Sequence, residues 1–476
     1  FRRILAFVAL AGLLLGSLGA CTPEANPPQT VAAGNPAAVP RPSPLPRAIE
    51  RETGPVYNSP QLQALVDRIG NRLVSQSNLP GTYRFYILDQ PLPNAHAVSG
   101  GYVFVTRGLL AMVDDDAELA AAMSHELGHL TQRHAAQREQ ARKGVIDAAV
   151  QAAMTSGSIQ VGRSVASNGM LELRRYSREQ ELEADRVGLS YLVKAGYRGD
   201  AMAGLIDKLR RQSRLEDELL GVEERGGQTS SASTHPAPSD RLSALQTIPA
   251  ARQPGEADRA GYLALIDGMS VDDAPEEGFV RGSTFLHPTM RLAFEAPSDF
   301  RLLNDHDGVF GFGRDRSAMN FSCSPDKVAG RLDDWMRNKL KPTPTDIEAT
   351  TIGGMEAAIG ARPRGADTGL AQVRYVLIRF GDGVCYFNLA SDGPDRDRRI
   401  DVLLNAARSF RALTAAEAAA LKPYRLHIVP RGSGSAAQYA QRLPYGDHRM
   451  ARLLALNGVD NAAEFTQRSE IKLVEP

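Results

Sequence analysis

His125-Glu126-Leu127-Gly128-His129 constrains this chain more than any other feature. Two histidines four residues apart share one face of an α-helix, because four steps of about 100° return a side chain to within about 40° of its start. Their separation suits two ligands of one tetrahedral zinc. Glu126 sits one step on, about 100° around the helix, where a metal-bound water is easier to reach than the metal. That is the placing of a general base. With 9 histidines in 476 residues, chance supplies roughly 0.01 copies of the pattern. Asp114-Asp115-Asp116 stands where acidic residues favour a helix start, so a helix is predicted over 116–134.

A third ligand is expected on a second helix, predicted over 171–195 and ended by Gly196. Glu181 and Asp185 are four apart and share a face, whereas Glu183 lies about 200° from Glu181. Glu181 as the ligand lets Asp185 orient a ligand imidazole through its other ring nitrogen. Residues 144–169 between the two helices are small and weakly apolar, with several Gly and Ser. They read either as a mobile lid or as a plain exposed connection. His134 stands nine residues after His125, about 180° around a continuous helix. It is therefore no ligand on that face, and reads as packing or as support to a ligand.

Lys and Arg number 55, as do Asp and Glu, while 23% of residues are charged and 43% hydrophobic. This describes a folded, water-soluble chain of several domains. It excludes a polytopic membrane protein, a mainly disordered chain and wholesale nucleic-acid binding. At the N-terminus Arg2-Arg3 precede an apolar run from Ile4 to Leu18, as in a signal peptide, here over 1–20. Leu18-Gly19-Ala20-Cys21 resembles the bacterial lipobox. Cys21 is accordingly expected to carry lipid and hold the chain to a membrane. Thr22 in place of Asp points to the periplasmic face of the outer membrane. Ten prolines fall in 22–60, so 21–57 reads as an extended tether.

The HEXXH pattern followed by Glu181-x-x-x-Asp185 resembles the gluzincin metallopeptidases of the HtpX / CAAX prenyl protease type. Their soluble periplasmic members are closest in layout. Asn94 to Val105 looks like the family's strand pair beside the active site, with His96 where Phe is usual and Ser99 where Pro is usual. Ser177-Arg178, and Thr234-His235-Pro236 with Arg241, also match. The resemblance covers about 58–250. It implies that His125, His129 and Glu181 bind one zinc, that Glu126 is the base, and that Asp185 and Arg241 support the ligands. A polypeptide substrate would add as a strand along Asn94, Ala95, His96 and Ala97. The resemblance also implies that His235 faces the metal. It would either donate to the oxyanion of the tetrahedral intermediate or occupy the fourth metal position as a latch. The hazard of an unrestrained periplasmic protease favours the latch.

Beyond residue 275 the pattern turns to strands, over 285–294, 309–312, 318–323, 347–352, 373–380 and 384–389. The last two flank the hairpin signal Gly381-Asp382-Gly383, and helices are predicted over 326–340 and 396–410. Residues 283–412 resemble a Mog/PsbP-type α/β domain and carry no catalytic cluster. Cys323 and Cys385 fall in its strands, either bridged or as two buried thiols. Residues 424–476 resemble a degenerate LysM domain, through Ile428-Val429-Pro430-Arg431-Gly432, Leu453-Leu454-Ala455-Leu456-Asn457-Gly458 and Ile471-Lys472-Leu473-Val474. Gly432-Ser433-Gly434 replaces its usual Gly-Asp-Thr, which weakens the expectation of glycan binding. The expected class is α+β: a mainly helical, zincin-like metallopeptidase domain with a small sheet over 58–270, then the α/β domain, then a small LysM-like βααβ domain. The expected activity is zinc-dependent cleavage of misfolded or stalled envelope proteins. The alternative is a chaperone or binding module targeted to peptidoglycan or an outer-membrane assembly complex, with proteolysis secondary. A dead enzyme would be expected to lack Glu126 or a ligand, and all four are present.

Overall fold

The computed structural model describes residues 45–156, 158–220, 239–271, 273–305, 308–313, 315–362, 372–392 and 395–476. Cys21, the expected signal peptide, the first part of the expected tether and His235 lie outside the described residues.

Helices α1 (Arg47–Thr53) and α2 (Pro60–Gln76) lead into strands β1 (Arg84–Leu88), β2 (Ala95–Val98) and β3 (Tyr102–Thr106). Proline suits the first turn of α2, where its missing N–H would have no partner in the helix. The sheet order is β1-β3-β2, with β3 parallel to β1 and antiparallel to β2, so β2 is an edge. Helix α3 (Arg107–Met112) leaves β3 directly, and the Thr106 hydroxyl accepts the Leu109 N–H at 3.1 Å. Helix α4 (Asp116–Thr131) carries the HEXXH residues. Asp115 caps it, accepting the Glu118 N–H at 2.9 Å. Every side chain from Ala117 to His129 is buried. The helix is sheathed on all sides, which explains its run of Ala, Leu and Met.

The helix predicted over 116–134 is in fact two. Arg133 takes a left-handed φ of 56°, which ends α4 and turns the chain before α5 (His134–Ser156). Helix α6 (Ile159–Lys194) returns alongside it. Residues 144–169, expected as a lid or a plain connection, are thus mostly the arms of a helical hairpin. Ala148, Ala149, Ala152 and Ala153 favour helix without supplying an apolar period. Much of α5 is exposed, including Ile146, Val150 and Met154, the last at 74%. It has no buried stripe to read.

Helix α6 crosses α4 at two glycines. A Cβ on Gly128 would lie 2.9 Å from the Ala184 carbonyl oxygen, and one on Gly188 would lie 2.9 Å from the His125 nitrogen and Cα. The backbones approach as closely as they do because both positions lack a side chain. Helices α7 (Ala201–Leu220), α8 (Ser239–Gln246) and α9 (Arg259–Ile266) complete this part. One core joins α2, the sheet and these helices through Leu65, Ile69, Val105, Leu127, Leu192 and Ile206.

Next come β4 (Phe279–Arg281), β5 (Thr284–His287), β6 (Leu292–Glu295), β7 (Phe300–Asp305), β8 (Gly308–Gly313) and β9 (Ser317–Ser324). Helix α10 (Leu332–Lys339) precedes β10 (Thr345–Ile352), β11 (Met355–Ala361), β12 (Gln372–Phe380) and β13 (Gly383–Ser391). Helix α11 (Arg396–Arg408) and β14 (Arg411–Ala412) follow. Seven strands form an antiparallel sheet in the order β10-β11-β12-β13-β9-β8-β7, and four form a second in the order β14-β6-β5-β4. Phe294, Phe321, Phe387 and Phe410 share one core with Leu403 of α11. The single strand predicted over 285–294 is a hairpin, turned where Arg291 adopts φ 58°. Cys323 and Cys385 stand opposite each other on β9 and β13 and are bridged.

The chain ends with α12 (Ala415–Ala420), β15 (Arg425–Pro430), α13 (Ala436–Arg442), α14 (Arg449–Leu456), α15 (Ala462–Phe465) and β16 (Glu470–Glu475). Strands β15 and β16 pair antiparallel around the helices, with short α15 added to the expected strand-helix-helix-strand order. This unit is keyed into the first. Leu426 joins the first unit's core. The Lys472 ammonium donates to the carbonyls of Ala111, Met112 and Val113 at 2.8, 3.1 and 2.7 Å, and pairs with Asp114 at 3.0 Å. Those carbonyls are the unsatisfied end of α3, where a cation is favoured. Among the described residues no helix is long and apolar enough to cross a membrane.

Candidate metal centre

Two helices build the site. Helix α4 supplies His125, Glu126 and His129; α6, held close at Gly128 and Gly188, supplies Glu181. The Nε2 atoms of His125 and His129 are 3.0 Å apart, and each lies 3.4 Å from a Glu181 carboxylate oxygen. Metal bonds of about 2.0–2.1 Å in tetrahedral array set ligands about 3.3 Å apart. The three side chains fit such an ion as they stand. They are the His, Cys, Asp and Glu cluster among the described residues able to hold a metal.

The supporting contacts are equally specific. His125 Nδ1 lies 2.9 Å from Asp185 Oδ1. Arg241, on α8, donates Nε–H and Nη2–H to the two Asp185 oxygens, both at 2.6 Å, and its Nη1 is 3.5 Å from Glu181. This bidentate fork fixes the carboxylate in angle as well as position. His129 Nδ1 lies 2.9 Å from His134 Nδ1. Glu126 is buried, near enough to act electrostatically on His129 and Arg241.

Burial opposes charge on every group here, and the neighbours decide the outcome. It would raise the Asp185 carboxyl, but Arg241 and His125 bring it down to about 2. It would lower His125, but Asp185 and Glu181 raise that imidazole above its ordinary value. At His129 burial prevails and the pKa falls. A neutral imidazole is the form that binds a metal.

Sequence reasoning located His125, Glu126, His129, Glu181, Asp185 and Arg241, and the structure brings all six together. The Asn94–Ala97 segment lies on and just before edge strand β2, which packs on α4. The Asn94 carbonyl accepts the Thr106 N–H at 2.9 Å. His96 stacks on Phe104, centroids 5.0 Å apart, so the imidazole occupies an aromatic position. What the sequence reading missed is Gly128 and Gly188. A signal existed: Glu181, Asp185 and Gly188 stand at i, i+4 and i+7, one helix face.

Residues 60–249 match the sequence profile of Peptidase family M48. The putative beta-barrel assembly-enhancing protease of Vibrio cholerae is 34% identical over 268 residues, 52% of this chain and 52% of that protein. The beta-barrel assembly-enhancing protease of Escherichia coli K12 is 29% identical, over 40% of each chain. The mitochondrial metalloendopeptidase OMA1 of Schizosaccharomyces pombe is 28% identical, over 38% of this chain and 51% of that one. The chain thus spans about half the length of the curated relatives it matches, or less. The segment 60–249 that matches the family profile contains all six residues of the centre. Residues 60–249 are therefore similar to Peptidase family M48, and it is this matched stretch that brings His125, His129 and Glu181 together.

Proposed function

We propose that the protein is a zinc endopeptidase that cleaves misfolded or stalled polypeptides of the bacterial envelope. The observation that supports this most is the convergence of His125, His129 and Glu181 at tetrahedral ligand spacing, with Glu126 buried beside them on the same helix. When bound, zinc supplies Lewis acidity and an acidified water. The rest falls to the chain's own residues. Glu126 takes the proton of the attacking water and returns it to the leaving amine. Asp185, kept ionised by Arg241, holds the His125 ring in place. Edge strand β2 offers main-chain groups on the side away from β3, and an extended substrate adds there along Asn94 to Ala97.

In this reading a lipidated Cys21 and the proline-rich tether hold the enzyme at the periplasmic face of the outer membrane. One acyl chain binds a membrane only marginally, so the anchor requires the several chains of a lipoprotein. The C-terminal units recruit peptidoglycan or an outer-membrane assembly complex. The names of the bacterial relatives support substrates drawn from β-barrel assembly. His235 would act as a latch that keeps the metal site closed until substrate arrives. Higher basal proteolysis in His235→Ala marks this latch, and a lower rate at unchanged zinc marks an oxyanion donor.

The deciding experiment compares wild type with Glu126→Gln for zinc content and for hydrolysis of an unfolded test protein. Both are expected to hold one zinc, with the variant slower by about 10²–10⁴. Full activity in zinc-loaded Glu126→Gln refutes the mechanism. Cys21→Ser is expected to leave the membrane fraction, and its retention after a salt wash refutes the anchor.

A further inference from the structure

His134 is fully buried, at 0% exposure, yet its polar ring faces a metal ligand. Its Nδ1 is 2.9 Å from His129 Nδ1, and the two rings meet edge to face, centroids 4.9 Å apart at 76°. Its Nε2 is 3.4 Å from a Glu183 carboxylate oxygen. On an unbroken helix it would lie about 180° from His125. The left-handed turn at Arg133 undoes that and swings the first residue of α5 beneath α4.

The chemistry fixes who donates. His129 turns Nε2 toward His125 Nε2 and Glu181, the ligand side. An imidazole that gives its Nε2 lone pair to a metal carries its proton on Nδ1. That N–H can be accepted by His134 only at an unprotonated Nδ1, so His134 carries its own proton on Nε2, facing Glu183. We infer that His134 is a positioning residue of the metal centre: it accepts the His129 Nδ1–H, sets that ring's tautomer and angle, and is itself set by Glu183. The two ligand imidazoles are therefore supported differently. His125 leans on an ionised carboxylate clamped by Arg241, whereas His129 leans on a neutral ring. The neutral support adds no further negative charge to a buried site that already holds Glu126, Glu181 and Asp185.

The inference rests on the ligand assignment proposed above, and its test separates the two. In the full chain, His134→Phe keeps a ring but removes the acceptor. His134→Gln restores an acceptor at its amide oxygen. Zinc affinity is measured by competition with a chromophoric chelator, and the cobalt(II) form by its visible spectrum. His134→Phe is expected to weaken zinc by about 10–100-fold, the usual effect of losing such a partner, and to shift the cobalt bands. His134→Gln is expected to stay within a few-fold of wild type. Glu183→Ala, at a side chain 43% exposed, should weaken zinc by less than about tenfold. Wild-type affinity and cobalt spectrum in His134→Phe overturn the inference. So does an equal loss in His134→Gln and His134→Phe, which means packing alone. If His134→Phe does not fold, His134→Gln and Glu183→Ala still decide: a His134→Gln loss beyond tenfold, or wild-type affinity in Glu183→Ala, overturns it. Failure of wild type itself to bind one zinc refutes the ligand assignment instead, and with it this role.

Discussion

Gly188→Ala tests the claim that close helix contact makes the metal site. The new Cβ would lie 2.9 Å from the His125 nitrogen, the His125 Cα and the Ser124 carbonyl oxygen. All three are backbone atoms of α4, so no side chain can swing away. Comfortable contact begins near about 3.5 Å, so α6 must retreat by roughly 0.5–1 Å. Overpacking of this kind costs about 1–3 kcal/mol. Glu181 stands two turns away on the same face, about 10 Å along the axis, and moves with the helix. Misplacing a positioned group by about 1 Å costs on the order of 10² in rate. The control is Gly144→Ala, where nothing lies within 4 Å of the added Cβ. Replacing that helix-interior glycine should stabilise the fold by about 0.5–1 kcal/mol. Urea denaturation gives the stability of both variants, chelator competition their zinc affinity, and hydrolysis of an unfolded protein their rate. A Gly188→Ala protein with wild-type stability, zinc affinity and rate refutes the argument that this crossing holds the site.

Glu181→Ala should lose zinc and activity together, while Glu183→Ala keeps one zinc per chain; metal analysis showing the reverse means that the wrong carboxylate was assigned. Lys472→Met should destabilise the chain, because it strips a donor from three carbonyls at the end of α3 and an ion from a buried pair. Asp114 keeps Lys208, Arg259 and Arg468 as partners, so the loss in urea unfolding should lie near the low end of about 3–5 kcal/mol. Replacing Cys323 and Cys385 together by Ser opens a loop with a sequence separation of 62 and should lower stability by up to about 4 kcal/mol. Two reactive thiols from these positions in the denatured, unreduced wild type would contradict the bridge.

The sequence alone located the residues of the candidate site, because helical spacing is local. His125 and His129 face one way by periodicity, Glu126 follows from its step, and Glu181 with Asp185 repeats the logic on a second helix. Strands β12 and β13, and the hairpin at Gly381 between them, were legible for the same reason: alternation and turn chemistry act over a few residues. The α5–α6 hairpin was not, since an exposed, alanine-rich helix leaves no apolar stripe. Tertiary structure decided the rest. Nothing local announces that Arg133 breaks the helix and returns His134 to His129, although a continuous helix would point it away. Nor does spacing reveal that Gly188 rests on His125, or that Lys472 reaches back to the end of α3, more than three hundred residues earlier. Such contacts form between surfaces that only folding brings together. The two thiols show the same limit: composition left the bridge open, and the β9–β13 register closed it by setting Cys323 opposite Cys385.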